Sequence, residues 1–188
     1  MSLCDKKVSV MKRLIQIVLI SAIIIPSCGG GGNSGLKDVD PKVDSLLRIM
    51  TLDEKIGQMV LFTSDWDVTG PTIKEGYLDD IRSGRCGNIF NAYTTDYIRE
   101  IQRVAVEESR LGIPLLFGYD VVHGHKTIFP VPLAESCSWD LDLMRRTASA
   151  SAAEAAASGL NWTFAPMVDL VRDSRWGRVM ESPGEDPY

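Results

Sequence analysis

Histidine, cysteine, long apolar runs and excess basic charge are all scarce in this chain, and each scarcity excludes something. Only two His occur in 188 residues, His123 and His125, whereas metal sites that begin with an H-x-H pair want three or more protein ligands. Of four Cys, Cys4 and Cys28 lie near the N-terminus; Cys86 and Cys137 could pair in an oxidising compartment, but their spacing matches no disulfide framework, and two buried free thiols are the expectation. The longest apolar run, Leu14 to Ile25, is broken by Gln16 and Ser21 and is too short for a comfortable membrane span. The formal net charge is -5. The first 27 residues carry Lys6, Lys7, Lys12 and Arg13 against a single Asp5, so the body of the chain is more acidic still. Such a body argues against nucleic acid as a partner.

What is present fits a globular protein: 45% hydrophobic and 24% charged residues supply one sizeable core and one domain. Met11-Lys12-Arg13 followed by the apolar run has the pattern of an export signal. Ile25-Pro26-Ser27-Cys28 resembles a bacterial lipobox, in which the Cys is lipidated and becomes the mature N-terminus, and Gly29 to Gly35 reads as a flexible tether. An ordinary cleaved signal with an incidental Cys is the alternative. The expected division is residues 1–27 as signal, with 1–10 an upstream extension, 28–41 as lipidated Cys28 and tether, and 42–188 as the folded domain. That implies export to the periplasm or outer membrane of a Gram-negative bacterium, with the membrane as a partner through the lipid.

Val43, Leu46, Leu47 and Met50 form a helical stripe, and Thr51-Leu52-Asp53-Glu54 is a capping box opening a second helix. Gly57 inside that helix indicates close packing. Val60 to Phe62, Cys86 to Phe90, Ile113 to Gly118 and Asn161 to Pro166 read as strands, and Thr69 to Gly76 as a loop. Between the strands, Tyr77 to Arg82, Thr95 to Arg110 and Ala-rich Asp140 to Ser158 read as helices. Alternating strands and helices favour a parallel α/β sheet. A (β/α)8 barrel of TIM type needs about 250 residues, so the expectation is its N-terminal part only; a doubly wound sheet is the alternative. There is no internal repeat.

Polar residues concentrate where two strands end. After Leu115 to Gly118 comes Tyr119-Asp120-Val121-Val122-His123-Gly124-His125-Lys126, and after Thr163 to Pro166 come Asp169, Arg172, Asp173, Arg175 and Arg178. In a parallel barrel all C-terminal strand ends open on one face, so both clusters would converge. A carboxylate such as Asp120 can accept from two adjacent sugar hydroxyls while an Arg fork donates to the same oxygens, and Trp176 could cover a sugar's C–H face. A salt-bridge network at a loop is an equally good account of the charges alone.

The motifs Gly118-Tyr119-Asp120-Val121-Val122-His123-Gly124, Phe129-Pro130 and the run from Ala165 through Arg175-Trp176-Gly177-Arg178 to Tyr188 resemble the N-terminal domain of glycoside hydrolase family 3, of the periplasmic β-glucosidase type. Lys55-Ile56-Gly57-Gln58-Met59 fits its opening helix. The resemblance implies hydrolysis of O-glycosyl bonds by a retaining mechanism, releasing terminal β-linked glucose or a similar sugar from oligosaccharides or glycosides, with no cofactor. It implies that Asp120 and Arg178 bind sugar hydroxyls, that His123 and Glu181 support the loops, and that Arg175 is structural. The family's nucleophile belongs to a G-F-V-x-S-D-W-like segment downstream of the R-W-G-R loop, and its acid comes later still, so neither catalytic carboxylate is expected in this chain. Thr63-Ser64-Asp65-Trp66 carries similar letters on the wrong side of Asp120, and Asp65 is not assigned as nucleophile.

Two other readings compete. His123-Gly124-His125 after a strand could open the metal site of a metal-dependent barrel hydrolase. The chain could instead be a non-catalytic sugar-binding lipoprotein or a gene fragment, although part of a barrel would expose strand edges and apolar faces.

Overall fold

The computed structural model describes residues 40–67 and 70–187; the segment read as an export signal, Cys28 and the expected tether Gly29 to Gly35 lie outside them. Two compact units part between Ser45 and Leu46, inside the first helix. That helix, α1 (Pro41–Ile49), has proline at its first position, and Asp40 Oδ1 accepts from Lys42 N at 2.8 Å.

Helix α2 (Leu52–Gly57) opens on the capping box: Thr51 Oγ1 accepts from Glu54 N, and Glu54 Oε2 accepts from Thr51 N at 2.8 Å. The same carboxylate receives a fork from Arg110, Nε at 2.9 Å and Nη2 at 2.6 Å. Only 8% of the Glu54 side chain is exposed. The Arg110 fork, followed by the Thr51 backbone N–H, holds the Glu54 carboxyl at about 2 against an ordinary 4.5.

Strand β1 (Leu61–Thr63) is followed by a hairpin, β2 (Asp65–Asp67) and β3 (Gly70–Thr72), that pairs antiparallel on its own. Helix α3 (Tyr77–Arg82), strand β4 (Asn88–Phe90), helix α4 (Thr95–Arg103) and strand β5 (Leu116–Tyr119) come next. Helices α5 (Pro132–Ser136) and α6 (Leu141–Ala157) lead to strand β6 (Trp162–Thr163). The main sheet runs β1-β4-β5-β6, every neighbour parallel. Its order follows the sequence without the reversal that a doubly wound sheet requires.

The register sets Phe62, Ile89 and Phe117 in one row and Thr63, Phe90, Gly118 and Trp162 in the next. Ile89 and Phe117 are buried against Ile98 and Ile101 of α4, the core cluster that also takes in Val104, Ala105 and Ala155. The opposite face carries Leu61, Leu116, Trp162 and Phe164, all partly exposed, so the sheet is apolar on both sides as parallel sheets are. Helix α2 crosses the chain before β4 closely: a Cβ on Gly57 would stand 1.9 Å from Gly84 O, and one on Gly87 2.7 Å from Gln58 Cα. Asn88 Nδ2 closes that crossing by donating to Gln58 O and Val60 O, both at 2.9 Å.

Several elements depart from the sequence expectation. The loop expected over 69–76 contains β3, where Pro71 faces Trp66 across a two-stranded edge that does not need its missing N–H. Helix α4 stops at Arg103 and widens into a π turn, Val104–Glu108. Five-residue spacing there brings Arg103 Nη1 to Glu108 Oε1 at 2.7 Å while Arg82 Nε takes Oε2 at 2.7 Å. The strand expected over 161–166 shrinks to Trp162–Thr163; Asn161 before it grips Phe117 twice, its Oδ1 accepting from Phe117 N at 2.7 Å and its own N donating to Phe117 O at 3.2 Å. Both Cys are free, but Cys137 is exposed and only Cys86 is buried, which corrects the expectation of two buried thiols. Cys137 falls just after the short α5, which the sequence reading did not find.

Because the Glu54 pKa is depressed, its stabilising effect is complete above about 4.5 and fades as pH falls toward 2. Urea unfolding of Glu54→Gln against wild type should show the variant less stable at pH 7, with the gap narrowing below pH 4.5; a gap independent of pH would contradict the assignment.

Candidate functional site

Two adjacent strands, β5 and β6, carry the candidate loops at their C-terminal ends. Asp120 follows Tyr119 directly and is exposed. The chain beyond it folds back so that Gly124 bridges Ile128, with Phe129 N donating to His123 O at 2.8 Å. His123 Nδ1 lies 2.9 Å from Phe129 O; a carbonyl only accepts, so Nδ1 carries the proton. Phe129 thus receives and gives one bond to the same histidine, which accounts for the distance between the His123 and Phe129-Pro130 motifs. Gly124 has φ of 120°, and a Cβ there would sit 2.0 Å from Thr127 O.

The next residues turn toward α6. His125 Nε2 lies 3.0 Å from Ser158 Oγ, and Glu154 Oε2 accepts from Lys126 N at 2.9 Å and Thr127 N at 2.8 Å. Thr127 Oγ1 donates to Glu154 Oε1 at 2.6 Å. These bonds hold the Glu154 carboxyl below its ordinary pKa, Thr127 contributing most, while burial pushes the His125 imidazole down.

The second loop is closed on itself. Ser182, fully buried, donates from Oγ to Asp169 O, and Val171 N donates to Gly184 O at 3.0 Å. Inside this closure Arg178 forks onto Glu181, Nε to Oε1 at 2.9 Å and Nη2 to Oε2 at 2.6 Å. That pair raises the Arg178 pKa, and the charges of Asp120 and Asp169 act in the same direction. The loops of β5 and β6 therefore bring Asp120, Asp169 and Arg178 within electrostatic reach of one another. Arg175 is engaged elsewhere, its fork closed on Asp173 with Nε at 2.9 Å from Oδ1. Trp176 stays partly exposed.

A cavity of about 710 Å³ lies beside this site, lined by the small residues of α6 together with Val121, Phe129, Trp162 and Met167. Neither Asp120 nor Arg178 lines it. Its walls are mostly apolar, with His123 and Glu181 among the few polar groups that reach it. Ser64-Asp65-Trp66 begins the separate hairpin, where Ser64 is buried and its Oγ accepts from Tyr97 OH at 3.2 Å. The metal reading gains no support: His123 and His125 are turned to different partners, and among the described residues no three His, Cys, Asp or Glu side chains gather as ligands.

The structure is a parallel α/β frame with carboxylates and a guanidinium on the loops at adjacent strand ends, the edge on which parallel α/β folds carry their sites. Residues 51–188 match the model of the glycosyl hydrolase family 3 N terminal domain, and the chain belongs to that family. Among curated relatives, it is 49% identical over 150 residues to the periplasmic β-glucosidase of Salmonella typhimurium, which covers 79% of this chain and 19% of the relative. It is 31% identical over 174 residues to the lysosomal β-glucosidase of Dictyostelium discoideum, covering 79% of the chain and 21% of the relative. Among solved structures, the β-glucosidase of Listeria innocua in complex with glucose superposes with a TM-score of 0.69 at 41% identity, over 79% of this chain and 22% of that one. The chain thus spans about a fifth of the length of the relatives it matches.

The residue that sequence reasoning missed is Glu154. It is the only charged side chain between Thr147 and Leu160, and an isolated carboxylate in an Ala- and Ser-rich helix was the available signal. Gly124→Ala should destabilise the protein by about 1–3 kcal/mol, since the new methyl overpacks against Thr127 at a positive φ; a thermal melt within error of wild type would contradict this tight return.

Proposed function

We propose that this chain is the sugar-binding part of an exported β-glucosidase that removes terminal β-linked glucose, or a similar sugar, from oligosaccharides or glycosides. The observation that carries the reading is the placement of Asp120 and Arg178 on the loops that follow two neighbouring parallel strands, with Glu181 orienting the guanidinium. Asp120 accepts from two neighbouring hydroxyls and Arg178 donates to the same oxygens, while His123 and Glu181 hold the loops. Family membership and β-glucosidase relatives support the substrate class. In this reading a retaining mechanism uses two further carboxylates about 5 Å apart, and residues 40–187 are assigned binding, not bond cleavage.

The sheet is read as one arc of a (β/α)8 barrel spanning 42–188. Strands in sequential order, apolar on the face away from the helices, support that reading. Export through the segment 1–27 and a lipid anchor on Cys28, placing the protein in the periplasm or on the outer membrane, complete it; the periplasmic relative supports the export.

The protein expressed as its gene encodes it should release sugar from an aryl β-glucoside. Asp120→Ala should raise KM roughly 100-fold, as expected when two charge-assisted hydrogen bonds are lost, whereas Asp65→Ala should leave kcat unchanged. No release from any aryl β-glycoside, or activity abolished by Asp65→Ala, would overturn the proposal.

A further inference from the structure

The loop that carries Asp120 closes on itself through His123 and Phe129, and residues 126–128 between them reach into solvent. It leaves β5 exposed, turns at Gly124, and shows Lys126, Thr127 and Ile128 to solvent. Loops so placed are ordinarily among the least stable parts of a fold. Here one carboxylate from a neighbouring helix takes two successive backbone N–H groups and the Thr127 hydroxyl: Lys126 N at 2.9 Å, Thr127 N at 2.8 Å and Thr127 Oγ1 at 2.6 Å, all on Glu154.

The same turn of α6 supplies a second tie. Ser158 Oγ, one helical turn beyond Glu154, lies 3.0 Å from His125 Nε2 and donates to Glu154 O at 3.1 Å. The His125 ring is packed edge-on to Tyr119 at 5.5 Å and Tyr93 at 6.5 Å between centroids, while its buried Nδ1 has no hydrogen-bond partner. Tyr119 is the residue before Asp120. The stretch from Tyr119 to Thr127 is thereby tied to Glu154 at Lys126 and Thr127, and to Ser158 and Tyr93 through His125.

We infer that Glu154 is a positioning residue for sugar binding: by clamping Lys126 and Thr127 it fixes the loop that aims Asp120. This rests on the sugar-binding reading of Asp120. An Asp swinging on a loose loop must be ordered before it binds, and that ordering weakens binding without altering the chemistry that follows. Gln in place of Glu154 can still accept the two backbone N–H groups through its amide oxygen, with its NH2 facing the Thr127 hydroxyl, which is able to accept. Ala can do neither.

The test uses the protein as its gene encodes it, an aryl β-glucoside, and amide exchange of residues 120–127. Glu154→Ala should speed that exchange and raise KM about ten-fold with a smaller change in kcat, as loss of charge-assisted bonds to an ordering contact implies. Glu154→Gln should restore most of both. Thr127→Val, which removes only the hydroxyl and poses little risk to folding, should give an effect in the same direction but smaller. Wild-type KM in both Glu154→Ala and Thr127→Val, or Glu154→Gln as impaired as Glu154→Ala, would overturn the inference. If wild type releases no sugar, the sugar-binding reading fails and takes this role with it, a result distinct from an active enzyme indifferent to Glu154.

Discussion

The site depends on four strands running in one direction. Because β1, β4, β5 and β6 are parallel neighbours, all their C-terminal ends lie along one edge, and loops far apart in sequence meet there. The β5–β6 pairing matters most. It sets Gly118 against Trp162 and Tyr119 against Thr163, so the residues that follow, Asp120 on one strand and the Asp169–Gly184 loop on the other, start side by side. That pairing is short, and side chains reinforce it. Asn161 hooks Phe117 N, and Gly118 leaves room for the Phe164 ring, which a Cβ there would meet at 3.2 Å.

On this frame the charges serve orientation more than stability. Arg178 and Glu181 are partly exposed, and such pairs add little to the folding free energy. What the pairing supplies is a fixed guanidinium plane, with Arg178 just before the Val179–Glu181 turn and Glu181 three residues on at its end. Arg175 on Asp173 is an equally tight pair two residues apart, and it shows why charge alone could not single out Arg178. Glu54 with Arg110 differs again: nearly enclosed, it ties α2 to the turn after α4 and belongs to the frame.

Much of the frame was legible because local chemistry and periodicity agree. The Thr51–Glu54 box opens its helix, Ile98 and Ile101 turn one face of α4 into the core, and the Ala-rich helix runs Leu141–Ala157, all where their spacing puts them. The misses are elements held by distant partners. The β2–β3 hairpin contains Gly70 and Pro71, turn residues that only a short edge pairing tolerates. The π turn is held by Arg82, from a different helix, as much as by its own sequence. Asp120 and Arg178 were singled out by family motif, since their residue types fit a structural network equally well. Glu154 was passed over because nothing in an Ala-rich helix shows which loop lies above it.

The central claim, that the β5 and β6 loops converge on one sugar, is tested most directly by a crystal structure of the protein soaked with glucose. The account places a glucose with hydroxyls within hydrogen-bond distance of both the Asp120 carboxylate and the Arg178 guanidinium. Glucose bound elsewhere, in the apolar cavity beside α6 or away from both loops, would contradict it.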